Sequence, residues 1–178
     1  ITMLPASLSE GLCSLRAGEN RLAVSFLMRF DEEGTMRSHE ICTSVVRIRD
    51  QLTYEEVNER VRKEPHLQKL YDLALKHRQR RLAQGAVILP LPEINVYVNP
   101  VGMIQISRYE KETPSQIMVS EWMIAANALA ASLLAERNIP TLFRNQAECK
   151  PETDFVQSQY DLFYVYRQRR LFARAEMD

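Results

Sequence analysis

Glycine is scarce in this chain, which excludes the classes of protein that depend on glycine-rich loops. The 178 residues contain five glycines, all isolated from one another. Neither a Gly-x-Gly-x-x-Gly dinucleotide fingerprint nor a Gly-Lys-Ser/Thr phosphate loop occurs. The Gly-x-Ser-x-Gly turn that carries the nucleophile of many hydrolases is also missing. The sequence therefore gives no sign of a nucleotide cofactor or of a serine hydrolase.

Cysteine and histidine are also rare, and their spacing predicts no metal site. The cysteines include no Cys-x-x-Cys pair, which is typical of a reducing compartment, and we expect a cytoplasmic protein. His39-Glu40 begins like the His-Glu-x-x-His motif of zinc proteases, but Thr43 stands where the second histidine belongs. His66 and His77 are expected to be solvated. The three cysteines are Cys13, Cys42 and Cys149.

No signal peptide or membrane anchor is predicted. The most apolar stretch, Met123 to Ala135, has about 13 residues, whereas a membrane-spanning helix needs roughly 20. A chain of this length, with 46% hydrophobic residues, is able to bury a large core as one domain. It opens with Ile1 and stops at Asp178 directly after a helical run, so we expect both ends to be cut from a longer protein.

The formal net charge is zero, but the basic residues are unevenly distributed. Between Arg60 and Gln84, eight lysines and arginines stand against two acidic residues. A smaller basic block follows at Arg167 to Arg174. Such clusters are able to bind phosphates. The alternative is that they are the solvated faces of helices.

Two pairs of strand-like segments, each separated by a turn signal, predict antiparallel hairpins. Residues 87–92 contain two prolines and are expected to be extended without a full place in a sheet. A short strand is predicted at Ile139 to Arg144, followed by a loop to Thr153. The hairpins are Arg21 to Phe30 with Thr35 to Ile48, and Glu93 to Val98 with Met103 to Tyr109.

Four helices are predicted from capping residues and apolar periodicity. The first starts at Tyr54, where Thr53 and Glu56 have the spacing of a capping box. The predicted fold class is α+β, with mixed helices and antiparallel β-hairpins around a central apolar helix. The other helices run from Pro65 to Gly85, from Thr113 to Arg137, and from Phe155 to Glu176.

The helix from Thr113 to Arg137 is nearly apolar all round and has two polar interruptions. Glu121 is costly there, because a buried carboxylate must be paired, hydrogen-bonded or open to a cavity. One interpretation is a salt bridge to an arginine. The other is a carboxylate that faces a channel and accepts a hydrogen bond from a substrate hydroxyl. Asn127 is the second interruption, and its structural interpretation is an amide side chain that holds a neighbouring loop.

Aromatic residues at two places allow either a binding or a structural interpretation. Tyr54 lies at the start of its helix, and an exposed ring there is able to stack on a base or contact a ribose. Packing into the core is the alternative. In the last helix, the aromatic residues alternate with arginines, which fits a nucleic-acid face or a helix that buries its rings.

Short motifs occur along residues 1–145 in a characteristic order. They include Met3-Leu-Pro5, Gly18-Glu19, Asp31 to Gly34, Leu52-Thr-Tyr-Glu-Glu-Val57, Leu70-Tyr71-Asp-Leu73, Arg81 to Gly85-Ala86, Leu91-Pro-Glu93, Glu121-x-Met123-x-x-Ala126-Asn127 and Ile139-Pro140. In order and spacing, the set resembles the middle of the catalytic domain of the ribonuclease II (RNB) family of exoribonucleases.

The resemblance implies a magnesium-dependent, processive 3′-to-5′ exoribonuclease that hydrolyses single-stranded RNA to nucleoside 5′-monophosphates. The aspartates that hold Mg²⁺ in that family lie upstream of the matched segment, and the Thr-Ser-Pro-x-Arg motif lies downstream. Neither motif occurs in this chain. Residues 1–178 would therefore be a partial RNB catalytic domain with no catalytic residue or metal ligand, and we expect no RNA hydrolysis by this segment alone.

The resemblance also implies RNA-binding roles for residues of this chain. Tyr54 and Glu121 match family residues that contact the 3′-terminal ribose and help to distinguish RNA from DNA. A carboxylate suits the donor hydrogen of the 2′-hydroxyl. Asn127, at the end of the same motif as Glu121, is the third predicted RNA-binding residue. The expected partner is single-stranded RNA, with no membrane.

The chain departs from the family at three places, one of which is the final segment 146–178, which matches mainly at Arg170 to Glu176. Two other functions also stay open. Leu89 replaces a phenylalanine that stacks on the last base, and Asn145-Gln146-Ala147 replaces Val-His-Glu. One alternative is a non-catalytic RNA-binding or regulatory relative of the RNB enzymes. The other is a protein-interaction module whose basic helices are merely solvated.

Overall fold

The computed structural model describes residues 3–88, 93–109, 112–145, 162–172 and 176–177. The chain divides into two compact units, residues 1–68 and residues 69–178. The fold class predicted from the sequence is confirmed, because the described elements are helices and antiparallel strand pairs.

The first unit contains one long antiparallel hairpin, as predicted. Strand β1 (Asn20–Phe30) pairs with strand β2 (Met36–Arg47). In the turn between them, the backbone N–H of Thr35 donates to the Asp31 carboxylate at 2.6 Å. A π-helical turn at Ser7–Leu12, which the sequence did not predict, precedes the hairpin.

Helix α1 (Tyr54–Arg60) begins where its capping box predicts. The Glu56 backbone N–H donates to the Thr53 hydroxyl at 3.2 Å, and the Thr53 backbone N–H donates to the Glu56 carboxylate at 2.7 Å. These two bonds satisfy N–H groups that have no partner within the helix. They make Tyr54 the first residue of the helix.

Helix α2 (Pro65–Ala83) and the hairpin of β3 (Glu93–Val98) with β4 (Ile104–Tyr109) also confirm their predictions. The turn of this hairpin is organised by Asn99, whose side-chain oxygen accepts from the N–H groups at positions 101 and 103, at 3.0 and 2.9 Å. Gly102 closes it with φ of 81°, a left-handed conformation that favours glycine.

Helix α3 (Pro114–Glu136) buries one side, and Val119 and Met123 on its other side are exposed. It has 23 residues and a mean hydropathy of 1.5 over its most apolar window, so its length and composition would allow it to cross a membrane. The helix was predicted with nearly these bounds, but the apolar stretch of about 13 residues counted from Met123 is shorter than the apolar window of this helix. Core helices of soluble proteins meet the same criterion, and one such helix is weak evidence of a span. Its buried residues are Ser115, Ile117, Met118, Glu121, Ala125 and Leu129.

The last elements differ from the prediction. Strand β5 (Arg144–Asn145) pairs with β6 (Glu176–Met177), and α4 (Leu162–Leu171) lies between them in sequence. The strand predicted from residue 139 is wrong before Arg144. It includes a proline at position 140, which has no N–H to donate to a ladder.

The predicted helix through Glu176 is wrong at its end, since that residue lies in β6 and α4 stops at Leu171. Several sequence predictions lie outside the described residues: the extended segment at 89–92 with Leu89, the substituted residues 146–147, and the parts of the last helix at 155–161 and 173–175.

Candidate functional site

The carboxylate of Glu121 is the centre of a polar cluster between α2 and α3. Its side chain is 3% exposed. Arg81 donates from Nε to Oε2 at 2.9 Å and from Nη2 to Oε1 at 2.6 Å. His77 Nδ1 lies 2.9 Å from Oε2. Glu121 is thus held by a two-pronged arginine contact and by one imidazole.

Helical spacing explains why these residues meet. His77 and Arg81 are four residues apart on α2, so their side chains lie on one face of that helix. Glu121 comes from the buried side of α3. Its neighbour Trp122 stacks on the His77 ring, with the ring centres 6.4 Å apart and the planes inclined by 30°.

The cluster keeps Glu121 ionised. Burial raises the pKa of the Glu121 carboxyl, but the hydrogen bonds from Arg81 and His77 and their positive charge outweigh burial, so its pKa lies below the ordinary glutamate value. The side chains of Arg81 and His77 are 28% and 21% exposed. Solvent therefore reaches the cluster at the arginine and the histidine rather than at the carboxylate.

The three hydrogen bonds leave the Glu121 carboxylate able to accept about one more. An ionised carboxylate only accepts, and its two oxygens offer about four lone-pair sites. Among the residues that the structure describes, Oε2 accepts from both Arg81 and His77, whereas Oε1 accepts from Arg81 alone. Chemically, the arrangement is an ionised acceptor of fixed orientation with one lone pair left on Oε1.

The salt bridge to an arginine that the sequence allowed for Glu121 is therefore present. It accounts for the buried charge without occupying every lone pair. Contact between Glu121 and RNA stays a prediction. The expectation that His77 is solvated is wrong, because its ring bonds the carboxylate and stacks on Trp122. The four-residue spacing of His77 and Arg81 indicates that they share one face of α2, but no local signal indicates Glu121 as their partner.

Tyr54 and Asn127, the other two predicted site residues, are both exposed. Tyr54 lies in the first unit, at the start of α1, and is 43% exposed rather than packed in a core. Asn127 lies in the second unit on α3, and no hydrogen bond holds it to another described residue.

The structure does not place Asn127 on the same helical face as Glu121. Six residues of α-helix turn the side chain by about 120° away from the starting direction and advance it by about 9 Å. Tyr54 and Glu121 belong to different units. Within the described part of the chain, Glu121 is the only one of the three predicted residues whose side chain is hydrogen-bonded to other side chains.

Ion pairs partly neutralise the basic segment from Arg60 to Gln84. Arg60 pairs with Glu64, Arg78 with Glu112, and Arg81 with Glu121. Two of these acids come from outside the segment, so counting charges along the sequence overstated its positive charge. The segment is therefore less available to phosphates than the sequence suggested.

Two aromatic side chains of α4 are exposed, contrary to the interpretation in which that helix buries its rings. Phe163 and Tyr166 are 64% and 58% exposed, while Val165 is buried. The Arg167 guanidinium lies 5.8 Å from the centre of the Phe163 ring, within the range of a cation–π contact.

The described residues contain no group of three or more histidine, cysteine or acidic side chains that could hold a metal ion. Glu121 itself is already occupied by Arg81 and His77. The side chains of the described residues therefore do not fit a magnesium site.

Comparison with known proteins finds relatives of this chain. The model of the RNB domain family matches residues 1–169. An uncharacterized ribonuclease of Synechocystis sp. is 36% identical over 159 residues, covering 86% of this chain and 24% of that protein. Ribonuclease R of Chlamydia trachomatis is 32% identical over 166 residues, covering 88% of this chain and 23% of that protein. The chain spans about a quarter of the length of these relatives.

Solved structures agree on the fold. Mycoplasma genitalium RNase R, in complex with ribose methylated single-stranded RNA, superimposes with a TM-score of 0.82 at 18% sequence identity. The match covers 99% of this chain and 34% of that chain.

Proposed function

We propose, because the chain belongs to the RNB domain family, that the protein containing it is a processive 3′-to-5′ exoribonuclease. It hydrolyses single-stranded RNA to nucleoside 5′-monophosphates in the cytoplasm. The family match over residues 1–169 carries this proposal. The similarity to ribonuclease R of Chlamydia trachomatis supports it. The assignment of residues 1–178 to a partial catalytic domain is part of the proposal.

The metal ion of this enzyme would be Mg²⁺, with its ligands outside these 178 residues. Bound there, it would stabilise negative charge on the phosphate under attack. This chain would supply no catalytic residue. Its contribution is to bind and orient the 3′ end of the RNA.

The RNA-binding residues in this proposal are Tyr54, Glu121 and Asn127. Glu121 suits a ribose hydroxyl because it is ionised and keeps one accepting lone pair on Oε1. Its side chain is 3% exposed, so this contact requires the side chains that cover the carboxylate to move. The 2′-hydroxyl is the group that a protein must read to distinguish RNA from DNA. Tyr54 offers an exposed ring at a helix start, and Asn127 offers an exposed amide.

The activity is tested with the full-length parent protein, Mg²⁺ and single-stranded RNA labelled at its 5′ end. We expect the labelled strand to shorten from the 3′ end, with nucleoside 5′-monophosphates as products and no reaction in EDTA. The 178-residue chain alone is the control and should leave the RNA intact. RNA that stays intact with the full-length protein would contradict the proposal.

The same assay separates the two alternatives. RNA binding that weakens with salt, without hydrolysis, would indicate a non-catalytic relative. No salt-dependent RNA binding would indicate a protein-interaction module.

The role of Glu121 is tested by Glu121→Ala in the full-length protein. We expect the preference for RNA over DNA to narrow, because the acceptor for the 2′-hydroxyl is lost. The measurement is the ratio of cleavage rates for matched strands that end in ribose or deoxyribose. An unchanged ratio would remove Glu121 from the site.

A further inference from the structure

We propose that Arg81 is a positioning residue for the selection of RNA over DNA, and that His77 assists it. Together they hold the Glu121 carboxylate in the orientation that leaves Oε1 as the acceptor for a ribose hydroxyl. This inference rests on the proposed function, because it concerns the same site. It adds two residues on α2 that act through Glu121 and not on the RNA itself.

The arginine contact fixes the plane of the carboxylate. Arg81 uses Nε for one oxygen of Glu121 and Nη2 for the other. A guanidinium is planar and rigid, so two parallel hydrogen bonds define both the direction and the rotation of the group they bind. A lysine ammonium at the same place would keep the charge but provide a point contact without this planar geometry.

The imidazole decides which oxygen stays available. Ionised Glu121 has no hydrogen to donate, so His77 must carry its proton on Nδ1, 2.9 Å from Oε2. That bond uses the second lone pair of Oε2. Stacking of His77 on Trp122 restricts rotation of the imidazole. The remaining acceptor is therefore on Oε1.

A matched control lies one turn away on the same helix. Arg78 also pairs with a glutamate, but its partner Glu112 is 53% exposed. It does not bond Glu121 in this structure. Replacing Arg78 with lysine removes a guanidinium from α2 without changing the carboxylate at the candidate site.

The test uses the full-length protein and two RNA strands that differ only in the sugar of the 3′-terminal nucleotides, ribose or 2′-deoxyribose. The measured quantity is the ratio of the two cleavage rates. We expect Arg81→Lys to lower this ratio about tenfold. This is the lower end of the effect expected when the ribose hydroxyl loses its hydrogen bond to the charged carboxylate. His77→Gln should lower it about threefold, since an amide donor keeps part of the contact. Arg78→Lys should leave it within about twofold.

A double replacement shows whether Arg81 acts through the carboxylate. If it does, Arg81→Lys lowers the ratio in the wild-type background and has no further effect when combined with Glu121→Gln. A further loss in the double variant would mean that Arg81 contacts the RNA directly, and would overturn the inference. A purely structural defect slows both strands equally, leaves the ratio unchanged, and would also overturn it.

Failure of this inference can be told from failure of the proposed function. If Glu121→Gln lowers the ratio but Arg81→Lys and His77→Gln do not, the positioning role is wrong and the ribose contact stands. If Glu121→Gln leaves the ratio unchanged while RNA is still degraded, the ribose contact itself is wrong. If Arg81→Lys does not fold, the His77→Gln ratio decides the inference alone.

Discussion

Replacing Arg81 with methionine should destabilise the protein by about 2–3 kcal/mol, because the buried carboxylate of Glu121 loses its principal partner. Removing one member of a fully buried ion pair costs about 3–5 kcal/mol, whereas an exposed pair contributes about 0–1 kcal/mol. Glu121 is 3% exposed and Arg81 is 28% exposed, so this pair lies between those limits. Methionine keeps most of the apolar stem of arginine, so the loss reports the charge and its hydrogen bonds.

The measurement is urea unfolding of the 178-residue chain, followed by the fluorescence of Trp122. This is the only tryptophan in the sequence. It is the neighbour of Glu121, and its ring stacks on His77. Unfolding midpoints and slopes give the free energy of unfolding for each variant. Arg78→Met is the control and should cost no more than about 1 kcal/mol, because its partner is solvated.

A second replacement tests the cause. In the Arg81→Met background, Glu121→Gln removes the unpaired buried charge and should recover about 1 kcal/mol or more of the loss. Equal losses for Arg81→Met and Arg78→Met would refute the reasoning. So would a double variant that is less stable than Arg81→Met alone.

Three further predictions concern local structure and pH. Thr53→Ala should cost about 1 kcal/mol in thermal unfolding by breaking the capping box of α1, and Thr53→Ser should cost little; equal effects would contradict this. Gly102→Ala should cost about 1–2 kcal/mol because its φ is 81°. Gly11→Ala, with open space around its Cβ, should change stability by no more than about 0.5 kcal/mol, and a larger loss there would be contrary evidence. The pKa of Glu121 in the folded state lies below the ordinary 4.5. The contribution of its ionised form to stability is therefore complete above pH 4.5 and is lost as the pH falls through the pKa of the folded state. The stability difference between wild type and Glu121→Gln should therefore shrink in acid, and a constant difference would argue against an ionised pair.

The elements that the sequence predicted correctly are those encoded by neighbouring residues. The start of α1 depends on two hydrogen bonds within four residues, from Thr53 to Glu56. The β3–β4 turn depends on Asn99 and on the left-handed conformation of Gly102. Such interactions are complete within a short segment, so a local pattern is sufficient to predict them.

The features that the sequence did not predict depend on partners distant along the chain. Strand β5 pairs with residues 176–177 at the other end of the second unit, and no local signal indicates that pairing. The basic segment is partly neutralised by Glu112 and Glu121, which a charge count over a window does not include. His77 contains no sign in its own neighbourhood that a carboxylate 44 residues later will bind it.

The salt bridge found at Glu121 does not exclude the second interpretation, a contact with a substrate hydroxyl, which stays a prediction. A salt bridge and a ligand contact exclude one another only if the salt bridge uses all of the carboxylate's accepting capacity. Here three hydrogen bonds occupy three of the carboxylate's roughly four lone-pair sites. Arg81, which makes the buried charge tolerable, also fixes the plane of the carboxylate, and His77 leaves Oε1 as the remaining acceptor. A buried ion pair is by itself weak evidence of a stabilising interaction. At this position the pair also orients the carboxylate, and this orientation is the role that we propose for it.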